Sequence, residues 1–354
     1  MDDLMTRLGG IDCDVHIPVP TMARLSPFLP EVWQEIAVAR GIYGFAETSL
    51  PQAAPIQARP DWRDAAGLPS PSIETLTRAV LDERGMAAAI CHCLYPVQKL
   101  YDPHLAAAFA TATNEFLARE VLDSDSRLRG SVLISPYDIP AAVAEIRRRA
   151  ADSRFVQIIM LASAELPYGN PYYDRLWAAA TEAGMPVALH IGNSGRYPQT
   201  ASGWASYRLE DEVDQSLAFQ GQLASLVSHG VFDRFPDLTI VLIGSGVTWL
   251  PAFAWRFSKF WHGTRVEVPW LKDSPVEIIS RHVRLTTQPF DGPAQSIATA
   301  DVLAHLDATE MLLYASAYPR WHFDGTDAFP QGFDEELKRR VSIDNPRATY
   351  GRIS

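Results

Sequence analysis

The sequence predicts a (β/α)8 barrel, and three observations predict it. Eight short apolar runs, each bounded by turn residues, recur along the whole chain. Most are Val, Ile, Leu or Ala on both faces, as in parallel strands covered from both sides. Helical patterns fall between them, and no linker interrupts the alternation. A length of 354 residues fits one large barrel or two average domains, and the unbroken alternation selects the barrel, a single unit over 1–354.

In order, the strands are expected at 10–16, 86–93, 128–134, 155–161, 186–191, 238–244, 283–287 and 311–316. Helices are expected at 103–121, 138–150, 172–183 and 217–230, where apolar residues recur at three- and four-residue intervals. Further helices are expected at 248–261, 274–281, 293–307 and 333–341. The exception is the stretch 17–75, rich in Pro and aromatic residues between the first two strands. It reads either as a lid over the barrel mouth or as a loop packed on the flank.

The net charge of −11 and the lack of any Lys/Arg-rich run argue against a nucleic-acid partner. No segment approaches 18 consecutive apolar residues, so no membrane span is expected. The start, MDDLMTRLGG, has two acids and no long apolar stretch, unlike a secretory signal. Only Cys13, Cys91 and Cys93 are present, an odd number for a disulfide framework. A reduced, cytoplasmic protein is expected.

In such a barrel, reactive groups sit at the carboxyl ends of strands. The first strand ends IDCDVHIP, and Asp14 and His16, two apart, point to one face of an extended chain. A carboxylate and an imidazole facing the axis make half a divalent metal site, although such a pair is more often plain hydrogen-bonded structure. His190 ends the apolar strand PVALHI before a glycine turn, a polar tip where packing asks for none. Together Asp14, His16 and His190 form a common set for Zn²⁺, Mn²⁺ or Fe²⁺, and His190 is also a catalytic candidate. Cys91-His92-Cys93 looks like a metal motif, but alternation lets only the cysteines or the histidine face the axis; buried small residues are the preferred reading. His229 reads as a capping or surface residue, and Trp249, Trp255 and Trp261 as helix packing. Trp270 is a candidate neighbour of the substrate.

The chain resembles the amidohydrolase-2 branch of the amidohydrolase superfamily, the group containing aminocarboxymuconate-semialdehyde, γ-resorcylate and 5-carboxyvanillate decarboxylases. The resemblance covers nearly the whole chain. It rests on IDCDVHIPVP, NEFLAREVLDSDSRLRGSVLISP, GMPVALHIG, GVFDRFPDLTIVLIGSGVTWLP and YASAYPRWHFD, which occur in the family's order. It implies metal ligands at Asp14 and His16 from the first strand and at His190 from the fifth. The sixth strand of the family often ends in a histidine or glutamate; this chain has Gly244. The eighth normally reads Ser-Asp-Tyr-Pro-His, its aspartate binding the metal and shuttling the proton. Here it reads Ser316-Ala317-Tyr318-Pro319-Arg320, so Ala317 stands where the acid belongs.

Three explanations compete. An engineered inactivating change is one; natural divergence is another, favoured by the further departures Gly244 and Arg320. The third is an acid supplied from elsewhere, such as Asp324. Without the carboxylate, three ligands hold a metal more weakly and no base stands ready for a bound water. Arg320 is a catalytic candidate as a clamp on a substrate carboxylate or phenolate, or else a surface arginine paired with an acid. His322 is close enough to the eighth strand to line the mouth.

The expected activity is metal-assisted hydrolysis of a small carboxylated, cyclic or aromatic molecule, with Zn²⁺ or Mn²⁺ bound weakly or lost. One alternative is nonoxidative decarboxylation of an aromatic acid, disfavoured by Gly244. Another is a metal-free lyase, cyclase or binding protein on the same barrel. A homodimer is expected, as in many relatives.

Overall fold

Continuous apolar runs leave no face for water, so each must be covered on both sides, and the chain meets that demand by closing a sheet inside a ring of helices. The computed structural model describes residues 9–44, 58–65, 67, 72–94, 97–192, 196, 198–292, 301–305, 308–320, 329 and 332–353. The strands are β1 (Gly10–His16), β2 (Met86–His92), β3 (Leu128–Leu133) and β4 (Phe155–Leu161), followed by β5 (Val187–His190), β6 (Ile240–Ile243), β7 (Val283–Thr286) and β8 (Leu312–Leu313). They pair in parallel, each with the next, in one eight-stranded sheet.

Closure between β8 and β1 is thinner than the other seams. It rests on a bridge between Val15 and Tyr318, with Cys13 N donating to Tyr314 O at 2.9 Å and His16 N to Tyr318 O at 2.7 Å. The strand expected over 311–316 is only two residues long. A short helix, Ala308–Met311, takes its first residue, and the Asp12 carboxylate accepts from Ser316 N at 3.0 Å in place of a strand partner. Ala317 then turns into the left-handed region at φ 54°.

The helices start where polar side chains satisfy their free N–H groups. Asp102 caps Pro103–Phe116 through His104 N and Leu105 N, Asp138 caps Ile139–Ala150, and Ser274 with Glu277 forms a capping box before Pro275–His282. The helix expected at 217 begins at Arg208. Glu210 accepts from the backbone N–H groups of Ser206 and Tyr207, a start signal hidden among charged residues whose helix face is largely exposed. The helical expectation at 293–307 lies mostly outside the described residues.

The stretch 17–75 divides, as far as it is described. Its helices Met22–Leu25 and Glu31–Ala39 lie on the flank side: Phe28 meets the Phe116 ring edge-on at 6.4 Å and Arg24 pairs with Glu120. Residues 58–62 instead run beside the mouth. Ala58 bridges to Arg320, Arg59 N donates to Pro319 O, and the Trp62 ring packs 4.9 Å from Tyr318. Cys13, Cys91 and Cys93 are buried and free. Among the described residues no helix is long and apolar enough to cross a membrane.

Candidate metal centre

Alternation along β1 turns Asp12, Asp14 and His16 toward the barrel axis, and all three are buried. His16 and His190 are the last residues of β1 and β5, so both stand at the carboxyl-terminal rim. There His16 Nε2 lies 3.1 Å from Asp14 Oδ1, His190 Nε2 lies 3.8 Å from the same oxygen, and the two Nε2 atoms are 3.3 Å apart. One donor atom from each of Asp14, His16 and His190 falls within 4.8 Å of the others. The three residues singled out in the sequence thus converge.

These atoms suit a cation. His190 Nδ1 contacts the Ile191 carbonyl, which can only accept, so this nitrogen carries the proton and Nε2 presents a lone pair to the centre. Burial pushes the His190 imidazole down to about 4, against the raising pull of Asp14. It is therefore neutral at neutral pH, the form that ligates. Burial opposes ionisation of Asp14, but the neighbouring His16 and His190 outweigh it and hold the carboxyl well below the usual range. Asp14 Oδ1 is nevertheless buried with no hydrogen-bond partner. A carboxylate oxygen and an imidazole lone pair crowded together in a dry pocket fit a divalent ion.

Two residues were missed. Asp12 is one: its Oδ1 accepts from Asp14 N at 3.2 Å as well as from Ser316 N, fastening the tip of β8 to β1. Burial raises its carboxyl to about 7, the bonds from Ser316 notwithstanding. The repeat Asp12-x-Asp14-x-His16 on one face was the available signal. His92 is the other, and here the preference for buried small residues at Cys91-His92-Cys93 needs correction. His92 pairs in register with His16, and its Nε2 sits 3.5 Å from Asp14 Oδ1. Burial pushes this imidazole down to about 3.

Around the trio the recess is lined by Ile191, Gly244, Gln288, Pro289, Ala317 and Arg320. Gly244 is there for two reasons: its φ is 76°, and a Cβ at this position would come within 2.5 Å of Ile191 Cγ2. Ile191 occupies the room a sixth-strand ligand would need. Arg320 forms no ion pair among the described residues. His322 and Asp324 lie outside them. Trp270 is not at the mouth: its indole donates to Ser228 O at 2.8 Å and covers Gly230, at the end of the helix that leads into the start of β6. The expectation that it borders the substrate is overturned, because that end of the barrel is the amino-terminal one. His229 caps the same helix end.

A parallel barrel with a carboxylate and imidazoles gathered at its carboxyl-terminal rim defines a class of protein with a metal-binding site at the barrel mouth. The sequence profile of the amidohydrolase family, Amidohydro_2, matches residues 11–352, and the chain belongs to that family. It is 25% identical over 271 residues to a γ-resorcylate decarboxylase of Polaromonas sp. (strain JS666 / ATCC BAA-500), covering 72% of this chain and 78% of the relative. Among solved structures it superposes on an amidohydrolase from Mycobacterium avium subsp. paratuberculosis K-10 with a TM-score of 0.75 at 21% identity, covering 98% and 100% of the two chains. It also superposes on a dihydroxybenzoic acid decarboxylase from Polaromonas sp. JS666, holding manganese and the inhibitor 2-nitroresorcinol. There the TM-score is 0.65 at 20% identity, with 97% of each chain covered. At these identities the superpositions speak to the fold.

Proposed function

We propose that the protein is a metal-dependent lyase that removes carbon dioxide from a small hydroxylated aromatic acid. The observation that carries this reading is Arg320, which shares one recess with Asp14, His16 and His190 and has no acid of its own among the described residues. A guanidinium beside a cation site is built to receive an anion, and its fork matches a carboxylate in two parallel hydrogen bonds. The named decarboxylases among its relatives agree with that substrate class.

Asp14, His16 and His190 would hold the ion, with manganese the first choice by analogy with the Polaromonas structure. When bound, it would supply positive charge to orient the acid and draw electron density from the ring. Arg320 binds and orients the carboxylate, while Ile191 and Pro289 keep water from the ring face. The departing carbon dioxide leaves its bonding pair on the ring carbon, which takes one proton. Ala317 and Gly244 have none to give and the ligating imidazoles are neutral, leaving solvent as the proton source.

Hydrolysis, the activity first expected, needs a base beside the ion to deprotonate water, and the same two residues cannot supply one. The reading is tested by loading the protein with Mn²⁺ and following carbon dioxide release from 2,6-dihydroxybenzoate, 5-carboxyvanillate and simple hydroxybenzoates, alongside esters and lactones. Release from at least one acid is expected, with a raised KM in Arg320→Ala. Turnover of the esters or lactones alone would return the assignment to a hydrolase.

A further inference from the structure

Among the described residues, His92 is the imidazole at the rim whose role is unassigned. It ends β2, is wholly buried, and its Nε2 has no hydrogen-bond partner. A buried polar atom left without a partner is costly, and a fold rarely tolerates one without use. It lies 3.5 Å from Asp14 Oδ1, itself without a hydrogen-bond partner, and the Cys13 backbone also acts on this ring. Two unsatisfied atoms, one on a carboxylate and one on an imidazole, face each other beside the trio.

The distances have a common scale. Ligand bonds of 2.0–2.1 Å in a tetrahedron put donor atoms about 3.4 Å apart. Asp14 Oδ1 lies 3.1, 3.5 and 3.8 Å from the Nε2 atoms of His16, His92 and His190, and the Nε2 atoms of His16 and His190 are 3.3 Å apart. The far side of His92 is also held. Its Nδ1 is 2.7 Å from Ser131 Oγ, Gln157 Nε2 donates to that oxygen at 2.9 Å, and Tyr350 OH donates to Gln157 Oε1 at 3.1 Å. Metal-bound histidines are usually braced in this way through the other ring nitrogen.

We infer that His92 is a fourth protein ligand of the metal centre, supplied from β2, on the other side of β1 from the ligand-free turn at Ala317. In this arrangement Nδ1–H donates to Ser131 Oγ and the Nε2 lone pair turns to the ion. The His92 ring stands 6.1 Å from each of the other two, against 4.8 Å between His16 and His190. Binding therefore draws it inward by a small rotation of the side chain. The inference rests on the proposed metal dependence and adds a residue to it.

The test is metal binding, read without turnover. Metal-free protein is titrated with Zn²⁺ against a chromophoric chelator, and with Co²⁺ followed by its visible absorption, which reports ligand number. One equivalent should bind to the unaltered protein. His92→Ala should weaken Zn²⁺ binding about 100-fold or more and change the Co²⁺ band intensities; loss of a mere orienting contact weakens binding 10–100-fold and leaves the Co²⁺ spectrum as it was. His92→Gln, closer in volume, repeats the measurement should the alanine variant fail to fold. Ser131→Ala, which removes only the brace, should fall between. Wild-type affinity and an unchanged Co²⁺ spectrum in the His92 variants, with binding lost in His190→Ala, would overturn the fourth ligand and leave the proposed function standing. An unaltered protein that binds neither ion overturns both.

Discussion

The two sides of the barrel mouth are built from different materials. Strands β1, β2 and β5 end in His16, His92 and His190, with Asp14 between them. The turns after β6 and β8 present Gly244 and Ala317. All four polar groups of the first arc are buried, and two of them, Asp14 Oδ1 and His92 Nε2, have no hydrogen-bond partner. In the second arc, Gly244 and Ala317 contribute no ligating side chain, and Gln288, Pro289 and Arg320 line the recess beside them. The contrast teaches that ion and substrate need not compete for the same wall: one arc is shaped to ligate, the other to leave space for an anion reached by Arg320.

The contrast is broken most severely at Gly244. Gly244→Ala places a Cβ 2.5 Å from Ile191 Cγ2 on a backbone with φ 76°. We expect a loss of about 2–4 kcal/mol in a urea melt, the sum of left-handed strain and overpacking. Ile191→Ala in the same chain should recover part of it. Full stability in the single variant would mean that the second arc has slack, and that its lack of donors is not imposed by packing.

Ala317→Asp sharpens the comparison by giving the bare arc a carboxylate. It should raise turnover on an accepted acid about 10²-fold or more, the usual worth of a positioned proton-transfer group. In the metal-free protein the new charge repels Asp14, so the rise in Tm on adding Mn²⁺ should be larger than in the parent. An unchanged or lower rate, with metal binding strengthened, would show that the chain works by chemistry that does not use an acid there.

Arg320→Ala should raise KM for the acid by about 10- to 100-fold, in keeping with the loss of a charge-assisted pair, while Zn²⁺ affinity stays within a few-fold. A parallel fall in metal binding would place Arg320 in the wrong arc.

The smallest effect belongs to pH. In metal-free protein His190 and His92 have folded values near 4 and 3 against about 6.5 when unfolded. Between pH 4 and 6.5 the unfolded chain therefore binds more protons at these sites, and stability rises with pH. Asp12 acts oppositely: raised to about 7, it favours the folded state at low pH and loses that contribution as pH climbs from 3.8 to 7. Two histidines against one carboxylic acid leave about one proton. From pH 6 to pH 5 the protein should lose about 1 kcal/mol, seen in urea melts. Saturating Zn²⁺ should stabilise the protein across this range but least at the acid end, where protons compete for the ligands, so the loss from pH 6 to pH 5 should become steeper.

Much of this was legible in the sequence. The strand tips carrying Asp14, His16 and His190 could be read from alternation and from turn residues, because apolar runs in a parallel barrel have few other places to go. His92 could not be read this way. Its fate depends on which face of β2 turns inward, and that is set by pairing with His16, a contact 76 positions away in the chain. The role of Asp12 was hidden for a similar reason, since its partner Ser316 lies 304 positions away in the chain. The early start of the helix at Arg208 escaped because its outward face, with Leu209 and Val213 exposed, blurs the usual apolar stripe. The reason for Gly244 required seeing Ile191 behind it.

Ala317 carries a last consequence. Its backbone sits at φ 54°, a conformation that asparagine and aspartate tolerate better than alanine. An acid placed there would need no rearrangement of the main chain, and an alanine codon can become an aspartate codon by one base change. The socket has outlasted any occupant it had. In evolutionary terms the step at this position is shallow and reversible, whereas Gly244, walled in by Ile191, requires two coordinated changes. Lineages descended from this sequence should regain a ligand on β8 long before they regain one on β6.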